Sequence, residues 1–171
     1  MLNASFRLPE GTWSADFSRN NLTELKNSEN SSDKIWSNGS SLRAVDFSRN
    51  SIKNVDKNFF EQMPVLEIID LSRNELTELS ENLFDSLASL QTLVLSGNRL
   101  KYVRKEWFKD LSNLYRLDLS YNPLGETKID RKICSKNMLE NIKFEKEWFK
   151  DLSNLYRLDL SYNPLAETKI C

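Results

Sequence analysis

The chain of 171 residues contains no histidine. That removes imidazole acid–base chemistry, a histidine-dependent nucleophilic triad and any histidine metal site. Its two cysteines, Cys134 and Cys171, are too few to build a zinc cluster by themselves. They can pair or stand as thiols, and their positions in the sequence leave both open. Four glycines, at 11, 39, 97 and 125, are too scattered for a loop that cradles phosphate. There is no run of about 20 apolar residues, so no segment spans a bilayer as a helix. The opening stretch MLNASFRLPEGTW lacks both the basic stretch and the apolar core of a secretory signal. A formal net charge of -1 gives no electrostatic reason to expect nucleic acid or an anionic membrane as partner. These absences point away from an enzyme and imply no cofactor and no metal.

What the sequence does have is repetition. LEIIDLSRNEL (66–76), LQTLVLSGNRL (90–100) and LYRLDLSYNPL (114–124) share one pattern, and their asparagines, Asn74, Asn98 and Asn122, recur every 24 residues. Related units place Asn20, Asn50 and Asn163 at the same point. Ile69 and Leu71 alternate with Asp70 and Ser72, which suits a short strand with one buried face. The asparagine follows at a bend, where its amide can satisfy backbone groups of neighbouring units. The second half of each unit supplies Leu79 or Val103, a phenylalanine (Phe60, Phe84, Phe108) and Met63, Leu87 or Leu111. One unit cannot enclose these side chains alone, so neighbours must stack.

The pattern resembles the leucine-rich repeat, in the 24-residue form with a returning phenylalanine found in extracellular receptors and secreted adhesion or immune proteins. The resemblance implies a single α/β horseshoe solenoid over residues 1–171, with short parallel strands on the concave face and short helices or irregular turns on the convex one. It also implies a function in binding a protein or peptide rather than in catalysis. As part of a longer product the chain is expected outside the cell or at its surface; complete as written, it is expected in the cytoplasm as a scaffold or regulatory protein.

Regular units fill residues 42–124. Before them, TWSADFSRNNL (12–22) is a weaker first unit, and the polar stretch KNSENSSDK (26–34) is expected as a surface loop, with Trp36 replacing the outer phenylalanine. Asn3, Asn21, Asn30 and Asn38 each begin an N-glycosylation sequon. Loop position favours Asn30 and Asn38, whereas Asn21 lies beside the repeat core.

In the expected register, outward positions form columns: Asp16, Asp46, Asp70, Val94 and Asp118, and three residues on, Arg19, Arg49, Arg73, Gly97 and Tyr121. These columns fit a solvated face with its aspartates exposed. They also fit a binding face, because charge vanishes at Val94 and Gly97 beside Ile68, Tyr115 and Tyr121. Apolar and aromatic contact area rimmed by charge is what a protein-binding hot spot requires. Ile68, Asp70, Arg73, Val94, Tyr115, Asp118 and Tyr121 are therefore the expected ligand contacts.

Residues 146–170 repeat residues 105–129 with one difference, Ala166 for Gly125. Between the copies, 125–145 forms an irregular junction in which Leu139, Ile142 and Phe144 fit one more strand, followed by a cramped return. The alternative is that the junction is an insertion and the second copy docks alone. The last strand is expected to leave an open edge capable of self-association.

Overall fold

The computed structural model describes residues 8–26, 41–125, 149 and 151–164, and the statements below concern these residues. Six short strands form one parallel sheet: β1 (Ser14–Asp16), β3 (Ala44–Asp46), β5 (Ile68–Asp70), β6 (Thr92–Val94), β7 (Arg116–Asp118) and β8 (Arg157–Asp159), in that spatial order. A second, two-stranded sheet pairs β2 (Glu24–Leu25) with β4 (Asn54–Val55), just beyond the asparagine bends. Register follows the repeat without slippage: Val45 pairs with Ile69, Ile69 with Leu93 and Leu93 with Leu117. These central residues point inward and are buried, while their neighbours face out, the period of two that the sequence pattern demands.

Each asparagine ties two units together. Asn74 donates from Nδ2 to the carbonyls of Phe47 and Leu71, and its Oδ1 accepts from the Ile52 N–H. Asn98 and Asn122 repeat this geometry one and two units on. All three side chains are almost wholly buried. A buried bend exposes backbone groups that no strand can satisfy, and the amide supplies both a donor pair and an acceptor for them.

The return path runs as successive three-residue turns. Met63 N–H donates to Phe60 C=O and Leu66 N–H to Met63 C=O, with the same pair of bonds at Leu87 and Leu90 and again at Leu111 and Leu114. Apolar residues spaced by three then fall on one side of a chain that turns every three residues, and all of them are buried. Lys105–Trp107 closes into a 3-10 helix. Phe60 stacks on Phe84 with ring centroids 6.0 Å apart, so the phenylalanines fill the space between strand and return as expected.

The second copy corrects one expectation. β8 pairs directly with β7, Leu158 opposite Leu117, so no strand at Leu139 lies between them. Phe149 stacks on Phe108 at 6.1 Å and Asn163 bonds to Leu124 N–H and Leu119 C=O, just as a following unit would. The pairing fits the alternative expectation, in which the second copy docks by itself on the first, and Leu139 lies outside the described residues. A parallel strand needs only to return in register, and extra loop length costs little, about 0.6 kcal/mol per doubling. Residues 126–148, the polar stretch 27–34, Trp36, Cys134 and Cys171 lie outside the described residues.

Candidate protein-binding face

The outward face of the main sheet carries the expected columns, now fixed by strand pairing: Asp16, Asp46, Asp70, Val94, Asp118 and Asp159. The aspartates are not simply solvated, which corrects the sequence reading. Asp46 accepts from the Ser48 N–H at 2.7 Å, Asp70 from Ser72 at 2.8 Å, and Asp118 from both the N–H and the hydroxyl of Ser120. Asp118 is buried. Each carboxylate thus closes a tight turn two residues on, the usual structural use of Asp at a chain bend. At the two ends of the sheet this lowers the pKa: the Ser18 and Ser161 side chains and N–H groups hold Asp16 and Asp159 below the ordinary carboxylate range.

The next column sits where that turn reverses the chain. Arg19, Arg49, Arg73, Tyr121 and Tyr162 all have φ between 54° and 57°, and Gly97, in the same place, has φ 67°. Bulky residues seldom occupy this region, and here the asparagine and aspartate bonds on either side hold them in it. Gly97 leaves the space that the Arg73 stem fills: a Cβ there would stand 3.3 Å from Arg73 Cγ. The gap in charge inferred at Gly97 is therefore overlaid by Arg73, whose charge also acts on Tyr121.

Four exposed tyrosines flank the last two strands, and the other strongly exposed aromatic, Trp13, stands before β1 at the far end of the sheet. Tyr115 stacks on Tyr156 with centroids 5.1 Å apart at 9°, and Tyr121 on Tyr162 with centroids 4.1 Å apart at 12°. Hydrogen bonding to Tyr162 pushes the Tyr121 phenol above its ordinary pKa, burial adds to the rise, and the Arg73 charge pulls the other way. The two stacks stand at opposite ends of β7 and β8, separated by six residues or at most about 20 Å of extended chain. Arg116 and Arg157 lie between them, paired across the strands. An open groove of about 890 Å³ runs along the leading stack, lined by Glu67, Gln91, Asn113, Tyr115 and Tyr156 among others.

A family model described as leucine rich repeat matches residues 40–100 and 89–131, more than half of the chain. The chain belongs to the leucine-rich repeat family.

Its fold is the leucine-rich-repeat solenoid. Among solved structures it is similar to a chain of the Drosophila Toll–Spatzle complex, with TM-score 0.63 at 25% identity, covering 75% of this chain and 16% of that one. It is similar to a chain of the TLR13–ssRNA13 complex, with TM-score 0.56 at 25% identity over 88% of this chain and 21% of that one. It is also similar to a leucine-rich-repeat protein of Leptospira interrogans, with TM-score 0.54 at 31% identity over 74% and 27%. The chain thus spans less than a third of the length of each of these proteins. No curated protein sequence matches it significantly.

Within this leucine-rich-repeat solenoid, the expected contact residues are spread along the outward face rather than gathered at one point. Ile68 is exposed on β5, Val94 half-buried on β6, Tyr115 and Tyr121 exposed at the two ends of β7. Asp70 is half-buried and Arg73 exposed. Tyr156 and Tyr162 were missed. The signal was present in the duplication: docking a segment beside its own copy sets every side chain next to its twin. Placing a strand at Leu139 between the copies hid that consequence. Of the sequons, Asn21 is described and exposed, and Asn3, Asn30 and Asn38 lie outside the described residues.

Proposed function

We propose that this chain is a protein-interaction module whose ligand, a protein or peptide, docks on the outward face of the main sheet at its β7–β8 end. The observation that carries the reading is the pair of exposed tyrosine stacks flanking Arg116 and Arg157. Tyrosine offers large, rigid contact area at small cost in side-chain entropy, and arginine adds directional hydrogen bonding. Ile68, Asp70, Arg73, Val94 and Asp118 extend the contact toward the middle of the sheet. The likeness to a chain of the Toll–Spatzle complex, itself an assembly of proteins, supports this reading.

The test uses a partner captured on the wild-type chain and then titrated against the Tyr115→Ala, Tyr121→Ala double variant. Both residues are more than half exposed, so the fold survives their removal. Loss of two central aromatic contacts weakens binding by about a hundredfold or more. Equal affinity for both proteins would remove these residues from the interface.

An extracellular setting is part of the same proposal, supported by the Phe-containing 24-residue units and the sequons. Glycopeptide mass spectrometry on protein from its natural source is expected to find N-glycan at one or more of Asn21, Asn30 and Asn38. Four bare sequons would favour the intracellular scaffold instead.

A further inference from the structure

We propose that Tyr121 and Tyr162 form an oxidative cross-linking site, joined by a peroxidase and hydrogen peroxide into a dityrosine that staples β8 to β7. The two rings lie almost parallel with centroids 4.1 Å apart, closer than any other described aromatic pair. Their backbones are held in register by the bond from Tyr121 N–H to Ser161 C=O, and both residues are locked at positive φ. Neither ring can drift far from the other while the strands stay paired. Both rings are open to an oxidant, at 57% and 73% exposure.

The chemistry balances on the two phenols and one peroxide. Each phenol loses one electron and one proton, giving two phenoxyl radicals, while the peroxide takes up both electrons and both protons and leaves as two waters. The radicals couple through their ortho carbons, forming one C–C bond. Each ortho hydrogen then shifts to its own oxygen and restores the phenol. The product is lighter than the starting chain by two hydrogens. The Tyr115–Tyr156 stack, at 5.1 Å, is the slower competitor. Tyr102, the remaining tyrosine, donates its hydroxyl to Glu78 at 2.8 Å and stands apart from both stacks.

The duplication supplies its own label for the test. Trypsin releases Tyr121 in residues 117–128 and Tyr162 in residues 158–169, two peptides that differ by one methylene through Gly125 and Ala166. The dilute chain is treated with horseradish peroxidase and limiting peroxide, then followed by dityrosine fluorescence and peptide mapping. The expected product is the mixed pair alone, one Gly peptide joined to one Ala peptide. Tyr121→Phe is expected to abolish it, while Tyr115→Phe leaves it intact. Gly–Gly and Ala–Ala pairs appearing alongside the mixed pair in statistical proportion would mean coupling between molecules, and would overturn the proposal. So would coupling first at residues 110–116 and 151–157, or no cross-linked peptide at all.

Discussion

Leu117→Ala is expected to destabilise the protein by about 2–5 kcal/mol, and the same change at Leu158 by about 1 kcal/mol. The two leucines stand at equivalent places in duplicated sequence and pair with each other across β7 and β8. Sequence therefore cannot distinguish them, and position in the stack must. Leu117 has a strand on either side and 0% exposure, so its removal leaves a cavity that the rigid rungs cannot close. Leu158 lies on the outer strand at 38% exposure, and water or a rotated neighbour fills the space it leaves. Urea midpoints at constant slope read the difference directly. Equal losses would mean that β8 is packed on both sides in solution.

Asn98→Ala is expected to cost about 2–3 kcal/mol, because one backbone N–H loses its partner in a place water does not reach and two carbonyls each lose one of two donors. The N–H of Leu76 depends on this amide, while the carbonyls of Leu71 and Leu95 each lose one of two amide donors and keep Asn74 and Asn122. Asn113 is the matched control. Its Nδ2 donates to Ala88 C=O from the exposed return side, and replacing it with alanine is expected to cost no more than about 1 kcal/mol, since solvent takes over the bond. Thermal or urea unfolding of the two variants side by side checks the contrast. A small loss at Asn98 would show that the bends can be satisfied without the ladder.

The stack itself was legible because period and chemistry agree. Ile69, Leu93 and Leu117 recur in step, the asparagines mark one bend each, and Phe60, Phe84 and Phe108 have a single place to go. Register followed, since slipping by one residue would turn every buried leucine outward. What stayed hidden depended on contacts that spacing does not encode. Asp46, Asp70 and Asp118 looked like charges on a wet surface, and their partners are N–H groups only two residues away. Arg73 and Gly97 looked like the presence and absence of charge, yet both answer to the same left-handed turn. The tyrosine stacks required knowing which rung follows β7. The distance along the chain from Asn122 to Asn163 suggested an additional strand, and pairing ignored it.

The side-chain ties described among the units have a grain. Asn74, Asn98, Asn122 and Asn163 each reach back to a unit of lower number, and so do Ser86, Asn113 and Asn154 on the return side. None of these residues is needed to complete its own successor. Each unit is therefore finished by the one after it, as a course of tiles is sealed by the course laid above. Loss of a rung from the β8 end strips partners from the bend it leaves exposed, whereas loss of a rung from the β1 end leaves every remaining bend with its amide. Fraying in this solenoid has a preferred direction, set by which way one amide side chain points.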